Sequence, residues 1–222
     1  MRAAAEREPG AVPTPGRECP LCPRLVDFRR RHRHAHDDWH NAPVPAFGDL
    51  DARLLIVGLA PGLKGANRTG RPFTGDFAGD LLYATLGKFG FARGAYSARA
   101  DDGLALVDCR ITNSVRCVPP ENKPELAEIV TCRPFLVAEI AAMTRLRIIL
   151  ALGAIAHGTV LGALAQRKSA FPFKHGAQHA LPSGLLLADS YHCSRYNTNT
   201  GVLTVEMFEA VFHAIRGRLP AV

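Results

Sequence analysis

Four stretches of nearly continuous aliphatic residues divide the chain, with longer amphipathic stretches between them. Aliphatic runs flanked by glycine, proline or asparagine are typical of strands that are covered on both faces. They predict strands at residues 53–59, 104–115, 146–152 and 185–191. Because parallel sheets are covered on both faces, we expect a central, mainly parallel sheet of four strands.

The amphipathic stretches have apolar residues at helical spacing. They predict helices at residues 77–89, 123–143, 154–168 and 204–219. Pro134 lies inside the second of these and removes a backbone hydrogen bond there, so we expect a short helix before Cys132 and a longer one after it. Strands that alternate with helices predict a three-layer α/β/α sandwich. The ligand site of such a fold lies at the carboxyl ends of its strands.

Length and composition fit one folded domain. The chain has 222 residues, and domains average roughly 150 residues. A hydrophobic fraction of 47% with 21% charged residues excludes wholesale disorder. The first residues are rich in proline, glycine and charge, so we expect a flexible tail at residues 1–17 and a single domain at residues 18–222. A net charge of +7 suits a polyanionic partner.

Neither a membrane span nor an export signal is expected. The longest apolar run, residues 148–165, is interrupted by three glycines and His157, and is better explained as a buried strand followed by a helix. The N-terminal residues lack the apolar core of a secretory signal. Six cysteines in such a chain are expected to be reduced, metal-bound or buried, and we expect a cytoplasmic protein.

Four of the cysteines are candidate metal ligands. Cys19 and Cys22 form a C-x2-C pair, and Cys117 and Cys132 are separated by 14 residues. Four thiolates can bind a zinc ion or an iron–sulfur cluster. The spacing alone fits four unrelated reduced cysteines equally well, because the second tight pair of a zinc ribbon is missing. The other two cysteines, at positions 109 and 193, are poorer candidates.

Two loops after predicted strands carry candidate chemistry. The first, residues 58–76, contains neither of the common glycine-rich nucleotide-binding motifs, G-x-x-x-x-G-K-[ST] and G-x-G-x-x-G. Its Phe73 packs on the core or stacks on a flat ligand, and Asp76 stands where a carboxylate caps the next helix. The second loop, residues 190–204, has short polar side chains ahead of a helix, an arrangement that can hold phosphate.

A basic, histidine-rich stretch covers residues 28–40. It can attract phosphate through its arginines, or form the solvated face of a helix. Its histidines could bind a transition metal, but neither helical nor strand spacing presents all four together. These histidines are His32, His34, His36 and His40.

Taken together, four segments resemble the iron–sulfur branches of the uracil-DNA glycosylase superfamily, and most closely family 5, the type B enzymes. They are ECPLCPRL, GLAPGLKGANRTGRPFTGD, ITNSVRCVPPENKP and YHCSRYNTNTGVLT. The resemblance runs from Cys19 to the final helix. It implies a monomeric enzyme that everts a deaminated base from DNA, hydrolyses its N-glycosidic bond and leaves an abasic site. It also implies a [4Fe–4S] cluster on Cys19, Cys22, Cys117 and Cys132.

The resemblance assigns roles to the reacting groups. It implies that His192 donates a hydrogen bond to the base oxygen and that Asp76 positions water and favours the cationic sugar. Asn122 matches a further polar residue near the reaction centre. Phe73 would stack on the everted base, beside main chain at Gly58 and Ala60 and the side chain of Asn113.

DNA contacts are expected from the last of these segments. Ser194, Arg195 and Asn197 are the expected DNA-binding residues, and residues 193–200 would enter the duplex, with Arg195 and Tyr196 as candidate wedges. As an alternative to the role of wedge, Tyr196 could pack down onto the protein.

Two positions depart from related families. Ala60-Pro61-Gly62 has no acid or amide to activate water, so that task would pass to Asp76. Asn113 could pair with uracil through its amide, which predicts a preference for uracil over hypoxanthine, xanthine or larger bases. Asn113 could instead hold only backbone.

Two other functions compete with the enzyme. A non-catalytic iron–sulfur nucleic-acid-binding protein would need the basic loops but not Asp76 or His192. A redox protein would need a cluster that cycles under mild conditions. Both leave the combination of loop segments unexplained.

Overall fold

The computed structural model describes residues 12–219 of the chain. Its strands are β1 Leu54–Gly58, β2 Ala92–Arg93, β3 Ala105–Leu106, β4 Cys109–Asn113, β5 Ile148–Leu152, β6 Gln178–Ala180 and β7 Leu186–Ser190. Its α-helices are α1 Pro23–Ala35, α2 Ala66–Thr69, α3 Phe77–Lys88, α4 Leu126–Ala142, α5 Ala154–Ala163, α6 Arg195–Asn199 and α7 Val205–Arg218. Short 3-10 turns lie at Pro120–Asn122 and Lys168–Ala170.

The central sheet has five strands in the order β4-β1-β5-β7-β6. The first four are parallel, whereas β6 pairs with β7 in the antiparallel direction. The four parallel strands confirm the predicted sheet. The fifth strand was not predicted because Gln178–Ala180 is short and has no aliphatic run. Within the parallel sheet, Gly58 is the register partner of Asn113, so the ends of β1 and β4 meet.

Alternate side chains of β1 enter two hydrophobic cores on opposite faces of the sheet. Leu54 and Ile56 pack in the core that α3 and α7 cover, and Leu55 and Val57 pack in the core that α4 and α5 cover. All four side chains are fully buried. The three-layer α/β/α sandwich predicted from the sequence is therefore confirmed, and the carboxyl ends of its strands form one edge.

The single strand predicted at residues 104–115 is wrong in one respect, since it is two strands. β3 pairs with β2 in a separate small sheet, and β4 joins the central sheet. Asp108 separates them in a left-handed conformation, with φ of 52°. The Asp108 carboxylate accepts a hydrogen bond from the backbone N–H of Arg53, at 2.8 Å, and another from the guanidinium of the same arginine. These bonds hold the turn that the apolar pattern does not reveal.

The break predicted at Pro134 is also wrong. Helix α4 continues through this residue. Ile129 and Cys132 before the proline, and Leu136 after it, are all buried on one side of the helix, so core packing holds both halves in line. The next helix is shorter than predicted, since α5 ends at Ala163.

The ends of the domain fall partly outside the described residues. Residues 1–11 of the predicted flexible tail are not described, and neither are residues 220–222. In the part of the tail that is described, the carbonyl of Arg17 accepts a hydrogen bond from Arg33 on α1 at 3.2 Å. Between residues 12 and 219, no helix combines the length and the apolar character needed to cross a bilayer.

Candidate active site

One pocket of about 470 Å³ lies at the carboxyl ends of the parallel strands. Three separate parts of the chain line it: the loop after β1 with the start of α3, the segment after β4, and the loop after β7. Its lining includes Ala60, Phe73, Asp76, Asn113, Asn122, His192, Ser194 and Arg195. Parallel strands end at the same edge, which explains why residues so far apart in sequence meet here.

Asp76 is both the N-cap of α3 and part of the pocket wall. Its Oδ1 accepts a hydrogen bond from the backbone N–H of Gly79 at 3.2 Å. Its Oδ2 lies against the glycine-rich loop, where a Cβ added at Gly62 or Gly65 would come within 2.9 Å or 2.2 Å of it. Burial raises the pKa of the carboxyl, and the nearby charge of Asp80 adds to that effect. The capping role and a chemical role are therefore compatible, since each uses a different oxygen.

Phe73 forms the apolar wall of the pocket. It has a left-handed backbone, with φ of 51°, and its side chain is buried. Its ring stacks on the imidazole of His192, with 5.8 Å between centroids. A Cβ at Gly58 would lie 2.6 Å from the ring, so only glycine lets β1 approach it so closely. The ring presents a flat surface suited to stacking on a planar ligand.

The loop that carries Phe73 is held by an ion pair that sequence analysis missed. Arg71 is buried and donates two hydrogen bonds to the carboxylate of Asp102, at 2.7 and 2.8 Å. It donates a third to Thr74, at 2.8 Å. These bonds to Arg71 hold the pKa of Asp102 well below its usual range. The buried ion pair fixes the chain on both sides of Phe73.

His192 approaches the same space from the end of β7. Desolvation lowers the pKa of its imidazole to about 4, so the ring is neutral at physiological pH. Among residues 12–219, no protein group hydrogen-bonds the ring, which leaves its N–H free for a ligand. Gly153, at the end of β5, has φ of 98°, and a Cβ there would lie 3.6 Å from that of His192.

Asn113 lies at the inner end of the pocket. It is the last residue of β4 and is buried. Its Oδ1 is buried and has no hydrogen-bond partner among residues 12–219. An unpaired buried amide oxygen is costly unless a ligand supplies the missing donor. The position and the unpaired oxygen together make Asn113 a candidate ligand-binding residue of the pocket.

The other predicted site residues lie at the rim or behind it. Asn122 is exposed at the rim, with a left-handed φ of 58°. Ser194 caps α6, and Arg195 lies over the ring of Phe77, with 5.4 Å from its Cζ to the centroid. Tyr196 is 74% exposed, so it does not pack down. Asn197 does not line the pocket, and its amide N–H donates to the carbonyl of His192 at 2.8 Å.

The four candidate cysteine ligands line a second pocket, next to α1. Cys19, Cys22, Cys117 and Cys132 surround it, together with apolar residues that include Leu25. Arg29 donates to the Sγ of Cys117 at 3.3 Å, and the backbone N–H of Arg116 donates to the Sγ of Cys132 at 3.4 Å. The predicted set is therefore brought together, while Cys109 and Cys193 pack in the sheet core.

This second pocket has an excess of buried positive charge. Arg29 is fully buried, has no ion pair with an acidic side chain in the described part of the chain, and its Nε has no partner. Arg116 is buried as well and shares one carboxylate, that of Glu139, with Arg110. Buried cations need a nearby negative charge. The pocket therefore suits an anionic centre bounded by thiolates.

The described structure does not bring three or more ligand atoms of the histidine-rich stretch together. Within residues 12–219, the side chains whose ligand atoms lie within 4.8 Å of one another are His157, His179 and Asp189, far from that stretch in sequence. Instead, the ring of His32 on α1 stacks on the ring of His36, which also stacks on the ring of Trp39.

Comparisons with known proteins point to one family. A profile described as the uracil DNA glycosylase superfamily matches residues 45–216. A "Type-5 uracil-DNA glycosylase" of Thermus thermophilus is 46% identical over 195 residues, which cover 86% of this chain and 89% of that protein. One from Mycobacterium leprae is 46% identical, with 87% and 88% covered. One from Pyrobaculum aerophilum is 41% identical, with 87% and 85% covered.

Proposed function

Since this chain belongs to the uracil DNA glycosylase superfamily, in its type-5 branch, we propose that it hydrolyses the N-glycosidic bond of uracil in DNA and so initiates base excision repair. The observation that carries this proposal is the convergence of Phe73, Asp76 and His192 in one pocket. A flat apolar wall, a carboxylate and a neutral imidazole are what removal of a planar base requires.

The chemistry divides between two side chains. As the bond between C1′ and the base nitrogen breaks, its electron pair leaves with the base and the sugar becomes an oxocarbenium ion. The N–H of neutral His192 donates to the base oxygen and stabilises the departing anion. Asp76 stabilises the cationic sugar and orients a water whose oxygen bonds to C1′. Its carboxylate accepts the proton that this water loses, and a solvent proton neutralises the base.

The pocket also provides base selection. Phe73 stacks on one face of the everted base, beside Gly58 and Ala60, and Asn113 faces its polar edge. Uracil presents a ring N–H that can donate to the unpartnered Oδ1 of Asn113. Asn122 lies at the rim, where the sugar and phosphate enter.

Replacing Asn113 with alanine is expected to reduce the preference for uracil over hypoxanthine by about tenfold or more, since one good base-edge hydrogen-bond pair is worth about 1–3 kcal/mol. Hypoxanthine has a similar ring N–H, but the fused rings of a purine hold it farther from the sugar than the N–H of uracil, so only uracil is expected to form this pair. Excision rates measured under single-turnover conditions on U- and hypoxanthine-containing duplexes give the ratio. An unchanged ratio would show that Asn113 holds only the backbone.

The pH dependence should reflect Asp76 and not His192. Because burial raises the pKa of Asp76, activity should fall on the acid side at a pH above the ordinary aspartate value of about 3.9. His192 becomes charged only near pH 4, so no inflection is expected near the ordinary histidine value of about 6.5. The single-turnover rate measured from pH 4.5 to 9 tests this. An inflection near 6.5 that disappears in His192→Asn would contradict it.

A [4Fe–4S] cluster is proposed for the second pocket, with Cys19, Cys22, Cys117 and Cys132 as its ligands. The excess positive charge of Arg29 and Arg116 supports an anionic thiolate centre there. Burial raises the pKa of Cys22 to about 11 and that of Cys117 to about 12, so a bound metal is needed to keep them as thiolates.

An iron–sulfur cluster is proposed here in preference to a zinc ion, because the cysteine-bearing segments resemble those of the iron–sulfur uracil-DNA glycosylases and the second tight C-x2-C pair of a zinc ribbon is missing. The cluster would join residues 19–22 to α4 and to the segment after β4, a structural role.

DNA contacts are proposed for the rim beside α6. Arg195 and Ser194 would hold phosphate, and the exposed ring of Tyr196 would fill the gap left by the everted base. We further propose a monomeric, cytoplasmic enzyme, in keeping with six cysteines that form no disulfide.

The non-catalytic alternative is tested by pairing two assays. Gel-shift binding to uracil-containing DNA without an abasic product would support a binding protein. Both binding and product are expected here.

A further inference from the structure

We propose that His175 and Asn197 are positioning residues that clamp the backbone of His192 from its two sides. The inference rests on the proposed function, because it concerns how the hydrogen-bond donor to the base is held. Neither residue lines the pocket, so both act through His192.

His175 holds the amino side of this segment. The backbone N–H of Tyr191 donates to its Nδ1 at 3.1 Å. Its ring also stacks on that of Tyr191, with 4.9 Å between centroids. The Nδ1 must be unprotonated to accept this bond, and burial lowers the pKa of His175, which favours the neutral ring.

Asn197 holds the carboxyl side. Its Nδ2 donates to the carbonyl of His192 at 2.8 Å. The Asn197 backbone is itself fixed, because its N–H donates to the Oγ of Ser194 at 3.4 Å and its carbonyl accepts from the N–H of Leu203 at 3.0 Å. Leu203 is fully buried, so this side of the clamp is tied to the core.

A buried network supports the loop that carries His175. Asp189, two residues before Tyr191, is fully buried and accepts hydrogen bonds from His157 at 2.7 Å and His179 at 3.2 Å. The backbones of Asp189 and Ala177 also pair, at 3.0 Å. The loop and the end of β7 are therefore one rigid unit, from which His175 reaches Tyr191.

The hydrogen bonds to the backbone on either side of His192 fix its position, since its ring has no orienting hydrogen bond to the protein in the described chain. The imidazole stacks on the ring of Phe73. Its direction therefore depends on the backbone on either side. A misplacement of about 1 Å at a reacting group can cost about a hundredfold in rate.

Matched variants separate a positioning role from a folding role. His175→Asn places an amide oxygen near the position of Nδ1, whereas His175→Leu has a similar size and no acceptor. Asn197→Asp keeps the shape but loses the N–H. We expect His175→Leu and Asn197→Asp to lower the single-turnover rate of uracil excision by about 10- to 100-fold. His175→Asn should stay within about threefold of the unaltered enzyme, and affinity for an abasic duplex should stay within about twofold in both His175 variants.

The His192→Ala background gives the decisive comparison. If the clamp acts through His192, His175→Leu and Asn197→Asp cause no further loss there. An equal loss in both backgrounds, or equal rates for His175→Asn and His175→Leu, would overturn the inference. Weaker DNA binding by Asn197→Asp with an unchanged rate would overturn it too, in favour of a direct DNA contact.

Failure of the proposed function would look different, because the unaltered enzyme would then release no uracil. Thermal unfolding of each variant shows whether it folds. If His175→Leu does not fold, the inference is tested with Asn197→Asp, which changes a half-buried position.

Discussion

Asp76→Asn is expected to lower the rate of uracil excision by about a thousandfold. The substitution removes the charge that stabilises the cationic sugar and the oxygen that accepts a proton from water. Loss of one such electrostatic contact in a buried site costs about 3–4 kcal/mol in the transition state, which is two to three powers of ten in rate. Single-turnover excision from a uracil-containing duplex measures the loss.

Asparagine also isolates the chemical role from the capping role. It caps helices about as well as aspartate, so the hydrogen bond from Gly79 and the start of α3 should persist. Asp80→Asn is the matched control, since Asp80 is exposed in the first turn of the same helix and should leave the rate within about twofold. An Asp76→Asn enzyme within tenfold of the unaltered rate would show that another group directs the water.

Cys117→Ser is expected to remove most of the bound iron and to lower the stability of the domain sharply. The substitution takes away a buried thiolate ligand, and Arg29, which donates to that sulfur, loses the negative charge beside it. Breaking the partner of a buried charge typically costs about 3–5 kcal/mol. Iron and sulfide content, the visible absorption of the cluster, and the midpoint of thermal unfolding report the change.

Cys109→Ala is the control for this experiment. Cys109 is even more deeply buried than Cys117, and lies in the sheet core. The variant should keep its iron and lose only the stability expected of a small core change. Zinc in place of iron in freshly purified protein, or full iron content in Cys117→Ser, would contradict the cluster proposal.

The parallel sheet could be predicted because burial on both faces leaves a signal in the residues themselves. Four nearly continuous aliphatic runs contain the four parallel strands. The edge strand Gln178–Ala180 gave no such signal, since its three residues are polar or small and it is held by pairing with β7. The helix through Pro134 was mispredicted because local propensity favours a break, while burial of Cys132 and Leu136 on the same helix outweighs it.

The candidate site was predicted in part, for a related reason. Phe73, Asp76 and His192 follow strands whose ends must share an edge, so topology alone brings them together. The groups that hold them depend on contacts between distant side chains. The pairing of Arg71 with Asp102, 31 positions away, and the bond from Asn197 to the backbone of His192 have no periodic or compositional signal.

The most direct measurement uses an end-labelled duplex with a single uracil, treated with the purified, iron-loaded enzyme and then with alkali. Strand cleavage at the uracil position is expected, because alkali breaks the chain at an abasic site, and the cleavage should be strongly reduced by Asp76→Asn and by His192→Ala. Intact DNA after treatment with folded enzyme, under conditions where the enzyme binds that duplex, would show that the pocket does not remove the base.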